Sequence, residues 1–128
     1  MREIIFIALG GGAGAVSRFL VSKGISGLSS GMFPYGTLAV NIIGSFLLGF
    51  LFSLFNNMIV PSQYKIMITV GFLGAFTTFS TFSLESLNFL MEGEFRIAVT
   101  NILVNNIFSI AAVFSGIFLV RALHHGIR

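Results

Sequence analysis

Asn101, Asn105 and Ser109 recur at intervals of four residues in an intensely apolar stretch. That interval puts them on one face of a helix, while Asn106 points elsewhere. Carboxamides and a hydroxyl in such a row can glue helices together, or they can form a hydrated track of neutral donors. Asn41, in the run Tyr35-Gly36-Thr37-Leu38-Ala39-Val40-Asn41, poses the same alternative. Its amide can bond a neighbouring helix, or its two N–H groups can meet an anion stripped of water. Arg18 stands about a turn from the end of another apolar run. Snorkelling of its guanidinium to a headgroup layer and lining of an anion vestibule are both open.

The densest mixture is residues 71–86, GFLGAFTTFSTFSLES, with two glycines, six hydroxyls, four phenylalanines and a glutamate. Gly71 and Gly74, with Thr77 and Thr78 behind them, weaken any helix there. Irregular backbone inside a membrane is tolerated only where protein buries it or a cavity meets it, and unwound carbonyls at such a break can coordinate a small cation. Phe79 and Phe82 are three apart and project to neighbouring positions. A phenyl ring is electropositive at its edge, so an edge can face an anion without a full charge. Ser80 and Thr81 add donors. Glu85 is a carboxylate inside a span, where insertion costs about 2.5–3.5 kcal/mol, so it needs a partner or a proton.

These groups need elements to carry them, and composition says of what kind. Of the 128 residues, 55% are hydrophobic and 9% charged, with a mean hydropathy of +1.00. Soluble domains carry about 25% charged residues, so the chain is assigned to the membrane class. The basic balance, seven Lys and Arg against four glutamates, falls mostly outside the apolar spans and reads as headgroup contact rather than nucleic-acid binding. There is no cysteine, hence no thiol chemistry.

Four stretches are long enough to cross a bilayer as helices, which takes roughly 20 residues each: approximately 3–22, 36–55, 64–90 and 95–123, making one four-helix transmembrane domain over 1–128. An even number of spans puts both termini on one side. Arg2, Lys65, Arg121 and Arg128 then face Lys23 and Arg96 across the membrane, with Arg18 just inside, a weak positive-inside bias. Gly10 with Gly14, and Ser45 with Gly49, have the spacing that lets helix backbones approach closely in lipid. The Gly10-x-Gly12-x-x-Ala15 run mimics a dinucleotide-binding turn, but the ribose-binding acid expected about 20 residues later is missing, because the next acid after Glu3 is Glu85.

Together GFLGAFTTFSTFS, GTLAVN and GGGAGAVSR, on a short four-span chain, resemble the Fluc (CrcB) fluoride channels over nearly the whole length. The resemblance implies a passive exporter of cytoplasmic fluoride in a prokaryotic inner membrane, multi-pass, conferring fluoride resistance and not an enzyme. It implies an antiparallel, dual-topology homodimer of all-α subunits, the third helix broken at the membrane centre, with two pores and a central structural sodium (Na+). By motif position, Asn41 would coordinate fluoride and Phe79 and Phe82 would supply ring edges. Arg18 would sit near the entrance, and Ser80, Thr81 and Ser109 would extend the polar track. The main-chain carbonyls of Gly74 and Thr77 would hold the sodium. Asn101 and Asn105 fall where family members vary among Tyr, Ser and His, and Glu85 would lie beside the pore.

Two other functions compete. A small four-helix proton-coupled multidrug exporter would use Glu85 as proton carrier and the phenylalanines as a cage. Such pumps favour Trp and Tyr around a cation. Here there is no Trp, and both tyrosines lie at span edges. A structural subunit of a larger membrane complex would use the polar residues as glue.

Overall fold

The computed structural model describes residues 1–125; Arg128, counted above among the terminal-side charges, lies outside them. The chain is all-helical. Helix α1 is Arg2–Ser26 and α2 is Tyr35–Asn56. The third span is composite: α3 (Ser62–Ile66), a π-helical stretch Met67–Leu73, α4 (Gly74–Phe76) and α5 (Phe79–Met91). Helix α6 is Phe95–His125. Among the described residues, four helical stretches are long and apolar enough to cross a membrane, the composite one running Ser62–Met91. Helix α1 continues a turn beyond the expected end, through Lys23, whose ammonium lies 5.5 Å from the Phe19 ring.

The links follow from their residues. Pro34 precedes α2 and Pro61 precedes α3, where a missing N–H is harmless. Between α5 and α6, Gly93 takes a φ of 80°. Gly93 N–H donates to Leu90 O at 3.2 Å, and Glu94 N–H donates to Phe89 O at 2.8 Å. These bonds close the helix end as a left-handed glycine does. Lys65 Nζ donates to Phe55 O at 3.1 Å, satisfying a carbonyl at the C-terminal end of α2.

Burial is inverted relative to a soluble domain. Large apolar side chains such as Ile4, Leu9, Phe114 and Phe118 are exposed, as lipid requires, whereas Thr37, Ser53, Thr78, Ser86, Asn101 and Asn105 are buried. Without a hydrophobic force between helices, close backbone packing holds them. Glycine supplies it. A Cβ on Gly10 or Gly14 would collide with the backbone of Met67 or Phe72, and one on Gly71 would come within 2.8 Å of Ile7 O. On the other side of the bundle, Gly49 meets the Val113 backbone and Gly116 meets that of Phe46 and Phe50. Ser45, paired with Gly49 by spacing alone, instead lines a cavity.

Candidate functional site

Gly71 and Gly74 keep helical backbone; the residues that leave it are Thr77 (φ −85°, ψ 159°) and Thr78 (φ −149°, ψ 115°). Two extended residues strand several peptide groups, and side chains take them up. Thr78 N–H donates to Asn41 Oδ1 at 2.8 Å, and Asn41 Nδ2 returns a bond to Thr78 O at 3.1 Å. Thr78 Oγ1 accepts from Thr81 N–H at 3.2 Å, a threonine N-cap for α5. Asn41 thus imitates a backbone partner where the helix supplies none.

Asn41 also continues into a row of amides. Its Nδ2 donates to Asn105 Oδ1 at 3.0 Å, and Asn105 Nδ2 donates to Asn101 Oδ1 at 2.8 Å. Asn101 Nδ2 donates to Ser86 Oγ at 3.0 Å, and the Ser86 hydroxyl donates to Phe82 O at 2.8 Å. Asn101 is 0% and Asn105 4% exposed, so both sit inside the protein, each with its amide nitrogen donating. Asn106 is exposed and bonds its own helix at Ile102 O.

Two cavities meet at Thr78. One, of about 300 Å³, brings together Asn41, Phe79, Phe82, Asn105 and Ser109, with Gly74 and Thr77 on its wall. Asn106 reaches its edge as well. The Phe79 and Phe82 ring centroids are 5.4 Å apart at 60°. Phe82 is buried at 6% exposure and Phe79 stands out at 75%. The second cavity, of about 330 Å³, gathers Arg18, Ser22, Lys23, Thr37 and Thr81. Arg18 turns inward: its Nη1 lies 3.4 Å from Thr77 O, as donor. Ser80 is exposed, with its hydroxyl 3.5 Å from that of Thr78. Asn101 and Glu85 line neither cavity. Glu85 sits behind the second, where Oε1 accepts from the Thr37 hydroxyl at 2.6 Å and Oε2 is buried without a partner among the described residues.

The residues expected to hold sodium fit a small cation. Gly74 O would ordinarily accept from the N–H four residues on, but that N–H, of Thr78, goes to Asn41. Thr77 O loses its helical donor likewise, since Thr81 N–H goes to Thr78 Oγ1. Carbonyls released from helical bonding suit a hard cation, and one guanidinium already leans on Thr77 O.

Thr37, Thr78 and Ser86 belong to this constellation though spacing alone did not single them out as site residues. Thr37 could have been found, because it stands four residues before Asn41 on the same helix face. Thr78 had a signal in Thr78-x-x-Thr81, a hydroxyl three residues ahead of another at a helix start. Ser86 had none, since its role depends on α6.

Two cavities lined by carboxamides, hydroxyls, phenylalanines and Arg18, carried on four apolar spans, define a small multi-pass membrane protein with a polar interior. The chain belongs to the CrcB family: the family described as CrcB-like protein, Camphor Resistance (CrcB), matches residues 5–117. Among curated proteins it is 44% identical over 126 residues to the fluoride-specific ion channel FluC of a Nitratiruptor species, covering 98% of each chain. It is 43% identical over 122 residues to FluC of Magnetococcus marinus, covering 94% of this chain and 99% of that one. With FluC of Shewanella halifaxensis it shares 50% identity over 105 residues, 82% of this chain and 85% of the relative.

Proposed function

We propose that this chain is a fluoride channel, a passive conductor and not an enzyme, through which cytoplasmic fluoride leaves the cell. The observation that carries this reading is the pair of cavities meeting at Thr78, furnished with carboxamides, hydroxyls and phenyl rings and bearing Arg18 at one end. Fluoride is small and holds its water tightly, so a narrow path must offer several strong donors where water is shed. Neutral donors do this without a fixed charge that would retain the ion, and conduction needs binding weak enough to release it. Hydrogen fluoride enters uncharged and ionises inside. The interior-negative potential then drives the anion out, by about 2.3 kcal/mol per charge per 100 mV. Export lowers internal fluoride and confers resistance to it.

The working unit is an antiparallel, dual-topology homodimer in a prokaryotic inner membrane, with two pores. Supporting this are the 75% exposure of Phe79 beside the cavity it should enclose and the near balance of charge between the two faces. The third span is broken at the membrane centre, Thr77 and Thr78 lying midway along Ser62–Met91. A structural sodium lies between the copies, held by the Gly74 and Thr77 carbonyls of each. When bound, the ion supplies charge that ties two extended segments together.

Reconstitution in liposomes loaded with fluoride tests the proposal. Purified protein should release fluoride when a counter-ion pathway is opened, with no dependence on a proton gradient. Equal release of chloride, or release of neither ion, overturns it. Proton-coupled efflux of organic cations would establish the exporter instead.

A further inference from the structure

The directions of the hydrogens in the amide row follow from one fixed point. Thr78 presents a backbone N–H and a backbone carbonyl to Asn41, so the orientation of that carboxamide is unambiguous. Its remaining N–H must donate to Asn105 Oδ1, which turns Asn105 Nδ2 toward Asn101 Oδ1 and Asn101 Nδ2 toward Ser86. Both hydrogens of Asn41 are therefore taken. An anion arriving from the cavity shared by Asn41 and Asn105 finds a donor only if the row changes.

We propose that fluoride binds between the Asn41 and Asn105 carboxamides by reversing the row: Asn105 and Asn101 flip, and the Ser86 hydroxyl rotates from Phe82 O to Asn101. In the reversed state fluoride accepts from Asn41 Nδ2 and Asn105 Nδ2. Asn105 Oδ1 accepts from Asn101 Nδ2, and Asn101 Oδ1 accepts from Ser86 Oγ–H. Every buried carboxamide nitrogen and oxygen in the row keeps at least one partner in both states, which matters because a stranded one is costly. The reversal is possible because each member both donates and accepts and the last is a hydroxyl rotor. Asn101 and Ser86 never touch the ion; they are positioning residues. This inference rests on the ion path running past Asn41.

Asn101→Leu should act unequally on the two states. In the resting row Asn105 Nδ2 keeps the main-chain oxygen of residue 101, 3.2 Å away. In the reversed row Asn105 Oδ1 would have no donor, so fluoride flux should fall about tenfold, the worth of one hydrogen bond. The unmodified protein provides the decisive measurement whatever that variant does. In proteoliposomes labelled with 15N-asparagine, fluoride should dephase the Asn41 and Asn105 Nδ2 signals through 19F–15N coupling and shift that of Asn101, whereas chloride should do neither. Response at Asn41 alone overturns the reversal and leaves the ion path standing; response at none of the three overturns both. Flux unchanged in Asn101→Leu also overturns the reversal.

Discussion

The Thr37 hydroxyl and Glu85 Oε1 are joined by a 2.6 Å hydrogen bond that ties α2 to α5 across 48 residues of sequence. Glu85 Oε2 has no partner among the described residues, so the Thr37 contact is the carboxyl group's tether there. Glu85→Gln keeps the shape and the acceptor but cannot carry a proton. A channel should retain fluoride flux within a few fold, and no cation transport should be lost because none existed. A pump would stop. Flux in liposomes with and without a pH gradient distinguishes the two.

Phe82 lies at 6% exposure with its ring 5.4 Å from that of Phe79, so an aliphatic replacement fills similar space without a ring edge. Phe82→Ile should lower fluoride throughput by at least about tenfold, the scale of one lost charge-assisted contact. The proposed dimer should survive, as judged by size exclusion. Unchanged throughput would remove the phenyl edge from the path.

Exchange of sodium for a bulky organic cation should weaken the dimer if the Gly74 and Thr77 carbonyls of two copies share that ion. The measurement is subunit exchange between differently labelled dimers, which should speed up without sodium. Equal rates in both cations would show that those carbonyls find other partners.

Gly49 and Gly116 sit where a Cβ would strike the opposing backbone, at Val113 and Phe46 respectively, whereas a Cβ on Gly12 meets nothing within 4 Å. Gly49→Val should lower stability by about 1–3 kcal/mol, as overpacking does, read as a drop in thermal melting in detergent. Gly12→Ala should not lower melting, because alanine favours a helix interior over glycine.

Much of this architecture is legible without coordinates because lipid imposes simple rules: apolar length marks the spans, and small residues mark close contacts. Asn41, Phe79, Phe82 and Ser109 stand out as polar or aromatic groups in a suspicious neighbourhood, and the fold gathers them at one cavity. What spacing could not convey is which hydrogens are already spent. From a periodicity of four Asn101 and Asn105 read equally as glue or as a hydrated track, and the fold shows Asn101 fully buried and donating to Ser86, on a helix its own sequence says nothing about. Glycine drew attention to positions 71 and 74 as weak points, but extended backbone falls on Thr77 and Thr78. There, Asn41 and the Thr78 hydroxyl compensate the lost bonds. Such compensation is a tertiary property and leaves no local trace. Gly116 escaped notice for the same reason, its partner being α2.

Because glycines meet main chain rather than side chain at both helix crossings, the distance between helices is gauged by atoms every protein shares. Aromatic and aliphatic groups on the outer surface can therefore drift freely to suit different lipids while the helix spacing stays fixed. The cavity that gathers Asn41, Asn105 and Ser109 lies between helices spaced in this way, so its inner dimension is insulated from the outer chemistry.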